Sequence, residues 1–177
     1  MSYTYGSAIS RTTSQPGSQV ADIAHARTRT TLSRFTAAAH ADTVNLVIGY
    51  FKSSNQIIDI RFYTDGGGTN GAFNLGLWTT TFSDGAPTHT VADVDLYASA
   101  KATGTAILHG SAIATVFTEA ATLDDFDRGK ALWAQLAIGA GSDTTDPGVT
   151  YALIADISTT IDAANELAFE VEYVAGD

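Results

Sequence analysis

Hydrophobic and polar residues alternate along several short stretches of the chain, and this period of two is typical of β-strands with one buried face. In the segment Gln56–Thr64, an apolar face opposes a polar one, with Ile58, Ile60 and Phe62 against Asp59, Arg61 and Tyr63. In the segment Glu166–Val174, an apolar face opposes a mostly acidic one, with Leu167, Phe169, Val171 and Tyr173 against Glu166, Ala168, Glu170 and Glu172. Both patterns predict half-buried strands.

Other strands are predicted by β-branched and aromatic content between turn signals, over residues 27–35, 43–51, 72–79, 131–138 and 149–157. Residues 65–71, 84–87 and 143–148 are predicted turns, and we interpret the first of them as a hairpin connection. The Ala-rich segment Val91–Ala114 predicts short helical turns and loops, because its larger apolar residues are irregularly spaced. Six or seven strands without strand–helix–strand alternation predict an all-β fold, an antiparallel β-sandwich or jelly-roll-like domain.

The first 27 residues differ from the rest in that they show no sustained apolar period and are rich in Ser, Thr, Gly and Ala. We predict an extended N-terminal arm over residues 1–27 and a single β-sandwich domain over residues 28–177. Apolar side chains such as Tyr3, Tyr5 and Ile9 are costly to leave in water. We therefore expect the arm, with Arg11, to become ordered against a neighbouring subunit or partner.

Charge is unevenly distributed along the chain. Residues 1–34 carry four arginines and one aspartate, whereas five basic residues oppose 18 acidic ones in the remainder. An acidic body repels phosphate, so we do not expect nucleic-acid binding. No stretch approaches the ~20 apolar residues of a membrane span, and the N-terminus lacks a basic segment followed by an apolar one, so we expect a soluble protein that is not exported by a signal peptide.

Candidate chemistry is sparse. The chain has no cysteine, which excludes a disulfide, thiol catalysis and a thiolate metal site. The four histidines are scattered, and Asp124, Asp125 and Asp127 could bind a cation but are more typical of a solvated turn. The segment Asp65–Gly71 lacks the lysine and the following helix of a phosphate-binding loop, and no nucleophile motif or singled-out carboxylate pair appears. We expect no cofactor and no enzymatic activity.

From about Leu32 onward, the order of the segments and their pattern of apolar, polar and charged residues resemble those of tailed-bacteriophage head decoration (cement) proteins. The resemblance is carried by five segments: Arg34-Phe35, Leu46–Phe51, Ile57–Asp65 before a Gly-rich turn, Phe73–Leu77 before the acidic Ala92–Tyr97, and the amphipathic Leu167–Val174. It implies a structural virion protein, made in the host cytoplasm, that binds the major capsid protein on the outer capsid surface as a homotrimer.

Charge patterning adds candidate contacts for such an assembly. On one strand, Arg27 and Arg29 would project to one face and Arg34 to the other. The acidic face of the last strand, with Glu170 and Glu172, is the most concentrated partner for these arginines, in the same chain or in a neighbour. The alternative function is a carbohydrate- or receptor-binding β-sandwich of a virion fibre, for which Trp78 and Trp133 are the candidate aromatics, and a virion glycosidase is a more distant possibility.

Overall fold

A computed structural model describes residues 2–5, 7–11, 28–35, 40–66, 71–83, 86–111, 114–117, 123–124, 127–140, 145–161 and 165–176. Within these residues the chain forms nine strands and one helix. In chain order they are β1 (Ser2–Tyr5), β2 (Ser7–Arg11), β3 (Thr28–Phe35), β4 (Val44–Lys52), β5 (Gln56–Thr64), β6 (Ala72–Ser83), β7 (Ala86–Ala102), α1 (Leu132–Ala140), β8 (Thr150–Thr159) and β9 (Leu167–Val174).

The strands form two sheets that pack face to face. The five-stranded sheet has the order β1-β4-β8-β6-β7 and the four-stranded sheet the order β2-β3-β9-β5. Neighbouring strands are antiparallel except for the parallel pair β1–β4. The core lies between the sheets: Phe73 from one sheet contacts Phe62 and Phe169 from the other, at ring-centroid distances of 4.8 and 5.3 Å. The predicted all-β sandwich is confirmed.

The predicted faces of the two amphipathic strands are confirmed for β9 and partly wrong for β5. In β9, Leu167, Phe169 and Val171 are buried. In β5, the pairing with β9 shifts between Ile57 and Asp59, and this β-bulge changes which residues face the core. Ile57 is therefore fully buried, whereas Ile58, which the alternation places in the core, is only half-buried.

Two predictions for the middle of the chain are wrong, one of them only in part. Of the segment Val91–Ala114, predicted to form helical turns and loops, residues 103–111 do lie outside the named strands, but residues 91–102 belong to the 17-residue strand β7. Its pairing with β6 shifts at three places, and these irregularities explain why its apolar residues show no period of two. The segment 131–138, predicted as a strand, forms helix α1, in which Leu132, Gln135 and Leu136 share the buried face. Among the described residues, no helix combines the length and the apolar character that a membrane span requires.

The glycine-rich connection after β5 is not a hairpin, because β5 and β6 belong to different sheets. A hairpin is instead formed by β6 and β7, whose pairing begins at Ser83 and Ala86 next to the turn. Along it, Gly76 permits a close approach of the two strands. A Cβ atom at Gly76 would collide with the carbonyl oxygen of Asp93 and lie 2.5 Å from the carbonyl carbon of Val94. The glycine thus lets β7 coil over the outer face of its own sheet.

The open side of the sandwich between edge strands β5 and β7 is closed by the segment that leads into α1. Backbone bonds join Val116 to Ile60 and Leu132 to Asn55, at 2.8 and 2.9 Å. Gln135, fully buried, accepts a hydrogen bond from the Tyr97 hydroxyl at 2.6 Å. Its amide nitrogen lies 3.1–3.4 Å from three backbone carbonyl oxygens, those of Ile57, Asp127 and Lys130. One side chain therefore links both sheets to the closing segment.

Candidate binding surfaces

The outer face of the four-stranded sheet carries a groove whose floor is Ala168. The strand register places Ala168 directly between Arg34 of β3 and Tyr63 of β5, while Glu166 and Glu170 lie at i−2 and i+2 along β9. A methyl group between longer side chains leaves a depression, which the segment 107–109 borders on the β5 side. We name this depression the Ala168 groove. Its volume is about 420 Å³, and its lining is Leu32, Arg34, Phe35, Tyr63, Thr64, Asp65, Ile107, Leu108, His109, Glu166, Leu167, Ala168 and Glu170.

The polar groups on the β5 side of the groove are already engaged with one another. The Tyr63 hydroxyl donates to Glu170 Oε2 at 3.0 Å, and Arg61 Nη1 lies 3.7 Å from Glu170 Oε1. Arg61 Nε in turn lies 2.8 Å from Oδ2 of the buried Asp59. Burial, and then the hydrogen bond to Glu170, raise the pKa of Tyr63, so its hydroxyl stays a donor at neutral pH. The Glu170 carboxylate is therefore held in place and partly neutralised.

On the β3 side of the groove, the charged side chain is that of Arg34. The Arg34 side chain is exposed and has no hydrogen bond or ion pair within the residues that the structure describes. On the β5 side, Leu108 is 67% exposed, a large fraction for an aliphatic side chain, and His109 beside it contacts the Tyr63 ring at 5.8 Å between centroids. An arginine without a side-chain partner among the described residues and an exposed aliphatic side chain thus border the same depression.

A second surface lies on the outer face of the five-stranded sheet. Tyr50 contacts Phe82 and His89 at ring-centroid distances of 5.3 and 5.9 Å, and the register places Val91 on the same face. Phe82 is 62% exposed and Val91 51%. We name these four residues the aromatic patch. Beneath it, Trp78 packs in a small buried cluster with Val47, Ala152 and Ile154.

Within one chain, the acidic residue Glu170 lies close to a different arginine from those predicted from the sequence. Arg29 pairs across the strands with Tyr173, whereas Arg34 pairs with Ala168. Arg29 and Arg34 therefore do lie on opposite faces, but Arg34, and not Arg29, shares the face of Glu170 and Glu172. Arg61 is the residue that neutralises Glu170. A contact of these arginines with a neighbouring chain stays a prediction, and Arg27 lies outside the described residues.

The remaining candidate contacts are in the first two strands. Tyr3 and Tyr5 lie in β1, which pairs with β4, and Ile9 and Arg11 lie in β2, which pairs with β3. The backbone of this part of the predicted arm is thus paired within its own chain, one strand to each sheet. That these residues also contact a neighbour or a capsid stays a prediction.

The candidate cation site at Asp124, Asp125 and Asp127 is only partly described. Asp127 Oδ2 accepts the backbone N–H of Asp124 at 2.9 Å, and Oδ1 lies 2.7 Å from Lys130 Nζ. The bond to Lys130, and then that to Asp124, lower the pKa of Asp127. Asp125 lies outside the described residues, among which no group of three or more His, Asp or Glu side chains could hold a metal ion.

Neither tryptophan is placed as an exposed sugar-stacking ring on a strand. Trp78 is buried, and Trp133 is half-buried on α1. Among the described residues, the exposed large aromatic side chains are instead those of Tyr50 and Phe82, and Tyr63 at the groove is half-buried. Sequence reasoning missed the aromatic patch, and it named Arg34 and Glu170 as candidate contacts without predicting the groove that both residues line. The one available signal was Ala168, a small residue among acids on the polar face of the last strand.

The buried His40 makes stability depend on pH. Its Nε2 has no hydrogen-bond partner within the described part of the chain, and burial lowers the pKa of His40 below the ordinary value of 6.5. As the pH falls below 6.5 the unfolded chain therefore takes up the proton first, so this contribution to stability is complete above pH 6.5 and lost progressively below it. We expect the urea concentration at the unfolding midpoint of the wild type to decrease when the pH is lowered from 7.5 to 5.5. The midpoint of His40→Leu should decrease less.

The control for this prediction is His109→Gln, which removes an exposed histidine. The pKa of His89 is also lowered by burial, but His89 is common to all three proteins and its contribution cancels. Equal pH dependence in the wild type and His40→Leu would contradict the prediction.

Comparison of the chain with protein-family models, with curated proteins and with solved structures finds no match.

Proposed function

We propose that the chain is a structural virion protein that decorates and stabilises the outer surface of a phage capsid. The observation that carries the proposal is a pair of separate surfaces with exposed apolar side chains on the outer faces of opposite sheets: the aromatic patch and the Ala168 groove. Contiguous exposed apolar surface typically marks an interaction site. Two such surfaces on opposite sides suit a repeated part that contacts more than one neighbour at once, so that modest contacts add up through multivalency.

The two surfaces differ in character, and this suggests which neighbour each contacts. The aromatic patch consists of aromatic and aliphatic side chains, and homo-oligomer interfaces are the more apolar class. We assign it to contact between copies of the chain, in the homotrimer that the resemblance implies. The Ala168 groove combines apolar walls with Arg34, whose side chain has no partner among the described residues, and this suits a contact with a different protein, the major capsid protein.

The proposal predicts that particles carrying this protein resist heat better than particles stripped of it, because a ligand that binds only the assembled state stabilises that state. The measurement is the temperature of genome release from matched particles, with and without the purified protein added back. Quantitative mass spectrometry of the particles supplies the copy number, which should be in the hundreds. Equal release temperatures, or a copy number of only a few, would count against capsid decoration.

A further inference from the structure

We propose that the Ala168 groove binds a segment of a partner protein that presents a large apolar side chain next to a carboxylate. This inference rests on the proposed function for the choice of a protein partner and specifies the chemistry of the contact. It concerns one face of the four-stranded sheet, where β3 ends, β5 ends and β9 begins.

The shape of the groove favours an inserted side chain. Its floor is the methyl group of Ala168, and aliphatic side chains make up much of the wall, with Leu32 on the β3 side and Ile107 and Leu108 on the other. An aliphatic or aromatic side chain that enters this depression would cover Leu108, which is 67% exposed in the free protein. Covering apolar surface of this kind is the main favourable contribution to such binding.

The charges around the groove specify where a carboxylate can lie. Along β9, Glu166 and Glu170 stand at the two ends of the floor and repel an incoming negative charge. Glu170 is already bonded to Tyr63 and close to Arg61, and Oδ1 of Asp65 accepts the backbone N–H of Glu166 at 3.1 Å. Among the residues that the structure describes, Arg34, on the β3 side, is the groove-lining cation whose side chain is left for a partner carboxylate. Its guanidinium can bind both carboxylate oxygens at once.

A protein segment fits this surface better than a small molecule or a saccharide does. Small ligands usually lose most of their surface to an enclosing pocket, whereas this groove is open along one side of the sheet. Saccharides stack on exposed aromatic rings, whereas much of this wall is aliphatic and the Tyr63 ring is half-buried.

The test uses the purified full-length protein and two fluorescein-labelled hexapeptide pools. One pool has a central leucine–glutamate pair, and the other has leucine–lysine at the same place. We expect the acidic pool to bind in fluorescence anisotropy and the basic pool to bind at least tenfold more weakly. Arg34→Gln should weaken binding of the acidic pool by about tenfold or more, the range for loss of a hydrogen bond to a charged group.

Two further variants separate the groove from the rest of the sheet. Ala168→Phe fills the floor from the outer face and should abolish binding while thermal unfolding stays close to that of the wild type. Arg29→Gln removes an exposed arginine from the same strand but the opposite face and should leave binding unchanged. Equal binding of the two pools, equal losses in Arg34→Gln and Arg29→Gln, or binding of glycans on an array in place of peptides would overturn the inference.

Failure of the peptide-binding inference and failure of the proposed capsid decoration can be told apart by experiment. If particles bind the Ala168→Phe and Arg34→Gln variants with the same affinity as the wild type, the groove is not the contact with the capsid, but the proposed capsid decoration is unaffected. If particles bind none of these proteins, capsid decoration is excluded. Selective binding of the acidic peptide pool would still identify the groove as a peptide site.

Discussion

Replacement of Gln135 by leucine is expected to lower the free energy of unfolding by about 3–5 kcal/mol, the range for disruption of a buried polar network. The leucine would leave the Tyr97 hydroxyl without its acceptor at 2.6 Å and would remove the amide donor near three backbone carbonyl oxygens. The Tyr97 hydroxyl is fully buried and cannot turn to water, whereas the carbonyl oxygen of Lys130 is only part-buried. Burial also raises the pKa of Tyr97 well above its usual value, so the hydroxyl cannot escape the cost by ionising.

Urea unfolding followed by tryptophan fluorescence measures this effect, since Trp133 lies on the same helix as Gln135. The matched control is Gln56→Leu, a half-buried glutamine in β5, for which we expect a change within about 0.5 kcal/mol. Tyr97→Phe completes a double-mutant cycle, in which a coupling energy above roughly 1 kcal/mol is expected for two residues in direct contact. Additive effects of the two substitutions would show that the hydrogen bond does not join the segment to the sheet.

The double substitution Tyr50→Ser, Phe82→Ser is expected to dissociate the proposed oligomer. If the aromatic patch is the contact between copies, two aromatic side chains per copy lose their burial. An aromatic side chain buries about 150–250 Å² at full burial, and 39% of Tyr50 and 62% of Phe82 are exposed. The loss is therefore worth roughly 1.5–4 kcal/mol per side chain at about 25 cal/mol per Å². We therefore expect the dissociation constant to rise by at least about 100-fold, with little change in monomer stability because both rings are exposed in the monomer.

Sedimentation velocity over a concentration series tests this prediction. Leu108→Ser is the matched control, because Leu108 is as exposed as Phe82 but lies at the Ala168 groove beside the other sheet. It should leave the oligomer intact. A wild-type chain that sediments as a monomer at micromolar concentrations, or an equal effect of the two variants, would exclude the aromatic patch as the contact between copies.

The sequence by itself determined the fold class and the positions of six strands. Along β9, burial follows from regular pairing, so the period of two survives in the amino-acid pattern. Residues 45–48 of β4 and 151–155 of β8 are buried on both faces, and these strands were predicted from their β-branched and aromatic content. The lack of sustained strand–helix–strand alternation was enough to predict a sandwich and exclude a parallel α/β sheet. These features are local, and local patterns are readable without knowledge of what packs against them.

Only the tertiary structure decided the rest, because it depends on contacts between residues that are distant in sequence. The bulge at Ile58 and the three register shifts of β7 arise from pairing with another strand, and each shift moves the following side chains to the other face. Helix α1 has an apolar sequence that fits a strand equally well, and its contacts with β5 and β7 select the helix. The Ala168 groove exists because β9 lies between β3 and β5, which brings Arg34 and Tyr63 to either side of one small residue.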